Sequence, residues 1–405
     1  MDLKDDAVQM RDELVALRRA LHREPEIGLD LPRTQERVLE ALQGLPLEIS
    51  TGSSTTSVTA VLRGGQRDAA EPTTVLLRAD MDALPVDERT GTDFASRNGA
   101  MHACGHDLHT TALVGAAHLL SRHRDHVAGD VVLMFQPGEE GFDGAGTMIA
   151  EGVLDAAGRR ADYAYGMHVF ANQLPAGMFA SRPGPMLSAS HRLDVTVRGA
   201  GGHGSAPHTA KDPVVAAAEM ITSLQTMVTR SVDIFDPVVI TIGVLRAGTR
   251  RNIIPDTATF EATVRLYSAA SEELLNTTIR RVLEGVALAH GVEVDVDFRP
   301  QYPVTVNNAD EVAFGERVIR DVIGEQWYRE LDRPSSGSED FSRVLDAVPG
   351  AFIGLGACMP GIDPAAAPMN HSPRAEFFDG VLPDAAAVYS ALAVERLAHV
   401  TGARR

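Results

Sequence analysis

Cysteine is nearly absent from this 405-residue chain: Cys104 and Cys358 are the only two. Two thiols cannot build a disulfide scaffold, and they fit a reducing compartment, so the expected location is cytoplasmic. Basic residues are also short, 37 against 55 acidic, for a net charge of −18. A nucleic-acid partner is excluded on that balance, since phosphate backbones need a basic face. No uninterrupted apolar run approaches ~18 residues, and the Met-Asp-Leu-Lys-Asp-Asp start carries no apolar signal core, so no membrane partner is expected. Missing too are a Gly-x-Ser-x-Gly elbow, which argues against a serine hydrolase, and a strand-linked glycine fingerprint for phosphates among Gly138, Gly141, Gly144 and Gly146. There is no internal repeat and no low-complexity segment.

What is present is a soluble composition, 44% hydrophobic and 23% charged, at a length that suits two domains. Periodicity predicts amphipathic helices over 7–23 and 32–43. Short apolar or β-branched runs predict strands at Ser57–Leu62, Thr73–Ala79, Asp130–Phe135 and Tyr163–Val169, with a long helix at Asp107–Ser121. Alternating strands and helices imply a mixed, mostly parallel sheet with helices on both faces, an α/β catalytic domain. After a plausible hinge at Pro183-Gly184-Pro185 the rhythm changes. Strand 191–198, helix 213–229, strands 237–246 and 256–267, helix 271–289 and strand 292–299 spell β-α-β-β-α-β, a ferredoxin-like α+β unit. Its first helix is expected to bury Val214, Ala218, Ile221, Leu224 and Val228. The expected domains are therefore 1–186 with 299–405, interrupted by an inserted domain at 187–298. Helix 309–323, strand 351–355 and a helix near 384–400 complete the first.

Unusual polar residues collect in five stretches: Asp80-Met81-Asp82, His102 to Asp107, Glu139-Glu140, His168, and His371 in Asn370-His371-Ser372-Pro373. Nearly all follow strand ends, where chemistry gathers in parallel sheets. Taken singly, each has an ordinary reading. Cys104 could be a small buried hydrophobe, the glutamates solvated, the aspartates a turn. Together, thiol, imidazole and carboxylate at one sheet edge suit a transition metal: zinc, cobalt or nickel by the soft donors, manganese by the hard ones. Five or six donors exceed what one catalytic zinc takes, so two ions fit better. Of two adjacent glutamates, one can ligate while the other serves as a base.

These stretches resemble the metallo-aminoacylase and carboxypeptidase superfamily, in its N-acyl-amino-acid amidohydrolase branch of hippurate and auxin-conjugate hydrolases. The matching segments are His22-Arg-Glu-Pro-Glu26, Arg78-Ala-Asp-Met-Asp-Ala-Leu-Pro85, Met101-His-Ala-Cys-Gly-His-Asp107, Phe135-Gln-Pro-Gly-Glu-Glu140, Gly166-Met-His168, Gly201-Gly-His-Gly-Ser-Ala-Pro-His208, Asn252-Ile-Ile-Pro255, Ser338-Glu-Asp-Phe341 and His371-Ser-Pro373. The resemblance implies that Cys104, His106, Glu140, His168 and His371 bind two divalent metal ions per subunit (Zn, Mn, Ni or Co). It makes Glu139 the general acid/base, and His203 a donor that steadies the oxyanion from a neighbouring subunit. It gives Asn252 and Arg265 to the substrate's oxygens. Relatives in the wider superfamily carry His-x-Asp where this chain has Asp80-Met81-Asp82, and an aspartate bridge where Cys104 stands. His102, Asp107 and His109, with Asp80 and Asp82, are read as groups that orient the ligands, because ligating imidazoles need partners. Cys358 is read as core.

The activity so implied is hydrolysis of N-acyl amino acids to a carboxylic acid and a free amino acid. Two alternatives stand beside it: a dipeptidase or carboxypeptidase-like activity on the same scaffold, and a non-catalytic binding protein with relic motifs. An intact Glu139 beside Glu140 speaks against the last. The inserted domain ends its sheet in an edge strand, which invites pairing across a two-fold axis, so a homodimer is expected, and the resemblance implies that its sites are completed in trans.

Overall fold

A computed structural model describes residues 2–67 and 72–403. The chain forms two compact units, one of residues 1–186, 306–333 and 340–405, the other of 187–305 and 334–339. The second is longer than the expected 187–298 because the strand Glu293–Tyr302 runs on past Pro300.

The first unit is built on an eight-stranded sheet in the order Leu47–Thr51, Val58–Arg63, Asp130–Gln136, Thr74–Asp80, Tyr163–Phe170, Gly350–Gly356, Phe179–Ser181, Tyr328–Glu330. The middle four strands are mutually parallel, and antiparallel pairs lie towards both edges. Every residue of Thr74–Asp80, Asp130–Gln136 and Gly350–Gly356 is buried, as central parallel strands covered on both faces must be. The exposed edge strand Leu47–Thr51 and the three-residue strands Phe179–Ser181 and Tyr328–Glu330 carry no readable period and are not foreseen in the sequence. Pro183-Gly184-Pro185, expected as a hinge, lies largely within a short strand, Gly184–Leu187, paired with Thr305–Asn307.

Helix His106–Arg122 packs against Thr74–Asp80 and against the long helix Leu382–Ala403. It is buried on nearly all sides and so forms a layer of the core. Gly105, at φ +86°, precedes it, and a Cβ there would lie 2.4 Å from Val169 Cγ2, so only glycine admits the turn. The N-terminal helix is two helices, Leu3–Gln9 and Arg11–Arg23, the first capped by the Asp2 carboxylate on Asp5 N–H.

The second unit is a four-stranded antiparallel sheet, in the order Val239–Ala247, Thr257–Leu266, Ala189–Arg198, Glu293–Tyr302, with helices Pro213–Ser231 and Ala269–His290. Its sequence order is the expected β-α-β-β-α-β. The buried stripe of the first helix differs from expectation: Ala216, Ala217, Met220, Leu224 and Met227 face the core, while Val214 is exposed. Ile221 and Val228 lie at its margin. An alanine-rich helix offers two overlapping apolar stripes, and sheet packing selects between them.

Candidate metal centre

Strand order brings the polar stretches together. Thr74–Asp80 is flanked by Asp130–Gln136 and Tyr163–Phe170, all parallel, so Asp80, the Gln136-Pro137-Gly138-Glu139-Glu140 turn and His168 emerge at one edge. Helix His106–Arg122 delivers His106 there from its first turn. His371, at φ +70°, is bent back into the same place and donates its N–H to Ala103 O at 2.8 Å. A non-glycine residue in the left-handed region costs about 1–3 kcal/mol and persists where its surroundings over-determine it.

Cys104 lies at the centre. Its sulfur is 3.4 Å from His168 Nε2 and 3.2 Å from His371 Nε2. Around it two potential ligand groups share the sulfur: Cys104 with His106 and His168, and Cys104 with Glu140 and His371, the ligand atoms within 4.8 Å of one another. Glu140 Oε1 is 3.2 Å from His371 Nε2 and 3.9 Å from His106 Nε2. Glu139, buried, joins His106 and Glu140 in a third group. The turn carrying both glutamates is clamped by one carboxylate, since Asp82 accepts from Glu139 N–H and Glu140 N–H, each at 3.0 Å.

His371 is pushed up to about 10 by hydrogen bonds to Cys104 and Glu140. His106 is raised against the cost of burial, chiefly by the charge of Asp80. His168 is held well below its usual value by burial, and its Nδ1 donates to Val169 O at 2.8 Å, leaving the Nε2 lone pair towards Cys104. Neither ring nitrogen of buried His106 makes a hydrogen bond; Asp82 Oδ1 and Asp80 Oδ2 stand off at 3.5 and 3.6 Å. An unsatisfied buried imidazole is costly, and a metal ion is the partner that would satisfy it. The residues present therefore fit divalent cations.

Around these candidate ligands lies a layer of buried ion pairs. Asp80 accepts from His109 Nδ1 at 2.5 Å and from Arg78 at 2.8 Å, and His109 Nε2 accepts from Val169 N–H at 2.7 Å. Burial opposes the Asp80 charge, but Arg78 and the two histidines hold its carboxyl well below the usual range. Arg78, fully buried, also reaches Gln136 at 2.8 Å and Asp340 at 3.0 Å. On the other side of the His106 turn, Asp107 pairs with Arg18 and His22, each at 2.7 Å, and His22 also meets Glu88 at 3.2 Å. His102, fully buried, has no hydrogen-bond partner at either nitrogen, and burial pushes it down to about 3. It thus stays neutral beside the Asp107 pair and does not reach the ligand groups.

Arg18 and Glu88 lie outside every stretch singled out in the sequence, while His22, Arg78, Gln136, Asp340 and Asn370 lie within such stretches without an assigned role. Gln136 and Asn370 adjoin expected site residues and could have been suspected. Arg18 sits in an ordinary amphipathic helix and gives no signal.

His203, Asn252 and Arg265 belong to the other unit. His203 is exposed, pairs with Ile253, and accepts at Nδ1 from Ser205 at 2.8 Å. Gly204 N–H donates to Asn252 O at 2.9 Å, so the two turns are stitched together. Arg265 lies on Thr257–Leu266; its Nη1 is buried without a hydrogen-bond partner, and burial lowers its pKa.

Comparison with known proteins places this geometry in a family. Residues 76–395 match the family described as Peptidase family M20/M25/M40. A "Thermostable carboxypeptidase 2" of Saccharolobus solfataricus is 36% identical over 87% of this chain and 88% of its own. An IAA-amino acid hydrolase of Arabidopsis thaliana is 36% identical over 95% and 85%, and the hippurate hydrolase of Campylobacter jejuni 36% over 84% and 87%. A Bacillus subtilis protein solved as a dinuclear metal-binding peptidase superposes with a TM-score of 0.80 at 29% identity, covering 96% of this chain and 99% of that one. With that coverage and that arrangement of thiol, imidazole and carboxylate, the chain is a hydrolase belonging to the M20/M25/M40 peptidase family.

Proposed function

We propose that this enzyme hydrolyses the amide bond of N-acyl amino acids of the N-acetyl or N-benzoyl type. The observation that carries the reading is the Glu139-Glu140 turn, in which Asp82 holds both backbone N–H groups while Glu140 reaches His371. Glu140 also groups with Cys104 and His371, and Glu139 with Glu339 and Asp340, a division that suits one ligand and one base. Glu139 would take the proton of the attacking water and return it to the departing nitrogen. Cys104, His106, Glu140, His168 and His371 would hold two divalent ions, of Zn, Mn, Ni or Co. Such ions supply Lewis acidity towards the carbonyl and the water.

Arg265 supports an amino-acid substrate. A guanidinium with a buried, unpartnered nitrogen is a cation awaiting an anion, and its fork matches a carboxylate in two parallel bonds. Asn252 would hold another substrate oxygen, and His203 would steady the oxyanion from the partner subunit of a homodimer, with residues 187–298 as a mobile lid. Both cysteines are free thiols, in keeping with a cytoplasmic setting. Among the described residues no helix is long and apolar enough to cross a membrane.

The test is amine release from hippurate and N-acetyl amino acids, and from unblocked dipeptides and longer peptides, with Zn, Mn, Ni or Co added. Turnover of the acyl amino acids above that of the peptides is expected. Preference for peptides would favour a carboxypeptidase-like activity, which the Saccharolobus relative's name makes the second reading.

A further inference from the structure

Asn370 bonds to two of the four segments that carry the candidate ligands, and it belongs to a third. Its Oδ1 accepts from Ala171 N–H at 2.9 Å, and its Nδ2 donates to Val169 O at 3.0 Å and to Cys104 O at 3.3 Å. The same Nδ2 lies 3.8 Å from Cys104 Sγ. These partners settle which way the amide faces, since Ala171 N–H can only donate and the two carbonyls can only accept. Val169 O is also the acceptor that fixes the His168 ring through Nδ1. The next residue along the chain is His371, held at φ +70°. One carboxamide thus ties the Cys104 loop, the end of the His168 strand and the His371 bend to each other.

We propose that Asn370 is a positioning residue of the metal centre, which sets the mutual placement of Cys104, His168 and His371 and moderates the Cys104 thiolate as a donor. The inference rests on the reading that these three residues are ligands. Asparagine alone among similar side chains meets the requirement of one acceptor and a forked donor at this length. Aspartate would turn an oxygen towards two carbonyls and a sulfur. An N–H group near a thiolate withdraws charge from it, as outer hydrogen bonds do at metal–sulfur sites generally. Removing that group makes the sulfur a stronger electron donor and lowers the energy at which it transfers charge to a bound metal.

The test uses the full chain loaded with Co²⁺, comparing wild type, Asn370→Asp, Asn370→Ser and Cys104→Ser. Thiolate-to-cobalt absorption and competition with a chelator are read alongside thermal unfolding. Both Asn370 variants should bind Co²⁺ about 10–100-fold more weakly, with the thiolate band kept but moved to longer wavelength. A purely structural residue would change the melting temperature and leave the band in place. The inference is overturned if both folded variants match wild type in band position and affinity. It also falls if wild type shows no thiolate band, or one that survives in Cys104→Ser, but that result removes the ligand reading itself and is distinct from the first.

Discussion

His371 Nε2 lies 3.2 Å from the sulfur of Cys104, although 267 residues separate the two in sequence. This contact and the one to Glu140 push the imidazole up to about 10. A metal ion entering the site competes with the imidazole's proton, so loading and proton release are coupled.

Exchange of one carboxylate for an amide should separate the two adjacent glutamates. Glu139→Gln is expected to retain metal and lose turnover by about 10²–10⁴-fold, the usual worth of a general base. Glu140→Gln is expected to lose metal. Metal content by elemental analysis, set beside kcat, decides the matter; equal metal and equal residual activity in both variants would reject the assignment.

Thiol labelling tests whether Cys104 is a ligand. In a Cys358→Ala background only one thiol remains. Saturating metal should slow its alkylation, and a chelator should restore it. A labelling rate indifferent to metal would leave Cys104 as a buried hydrophobe.

Subunit mixing tests the role of His203. Glu139→Gln and His203→Ala chains should each be inactive. If His203 serves the partner's site, a hybrid dimer holds one intact site, and random exchange restores about a quarter of the sites. Demonstrated exchange without recovered activity would remove the trans assignment.

The His22 pair gives stability its own pH dependence. Burial opposes a charge on His22, but Asp107 and Glu88 together raise its pKa in the folded protein. A raised folded pKa contributes stability that is fully present below the unfolded value, about 6.5, and fades as pH rises through the folded one. His22→Gln should therefore cost more stability near pH ~6 than near pH ~9, measured by denaturant unfolding. An equal cost at both would show that the ring acts only as a neutral hydrogen-bonding group.

Sequence alone determined the elements whose signal is local. Thr74–Asp80 is readable as a buried central strand because Val75, Leu76, Leu77 and Ala79 put apolar side chains on both faces, and the β-α-β-β-α-β order of the second unit follows from successive periods. Motif resemblance then pointed to Cys104, His106, Glu139, Glu140, His168 and His371. Only tertiary structure decided how those stretches meet. Asp130–Gln136 lies on one side of Thr74–Asp80 and Tyr163–Phe170 on the other, an order that no local pattern encodes. The same holds for Arg18 on Asp107, Asn370 on Cys104, and the face that Pro213–Ser231 buries. Periodicity reports how a segment divides between apolar and polar surroundings, whereas a buried polar partner is chosen by which segments pack together, often hundreds of residues apart.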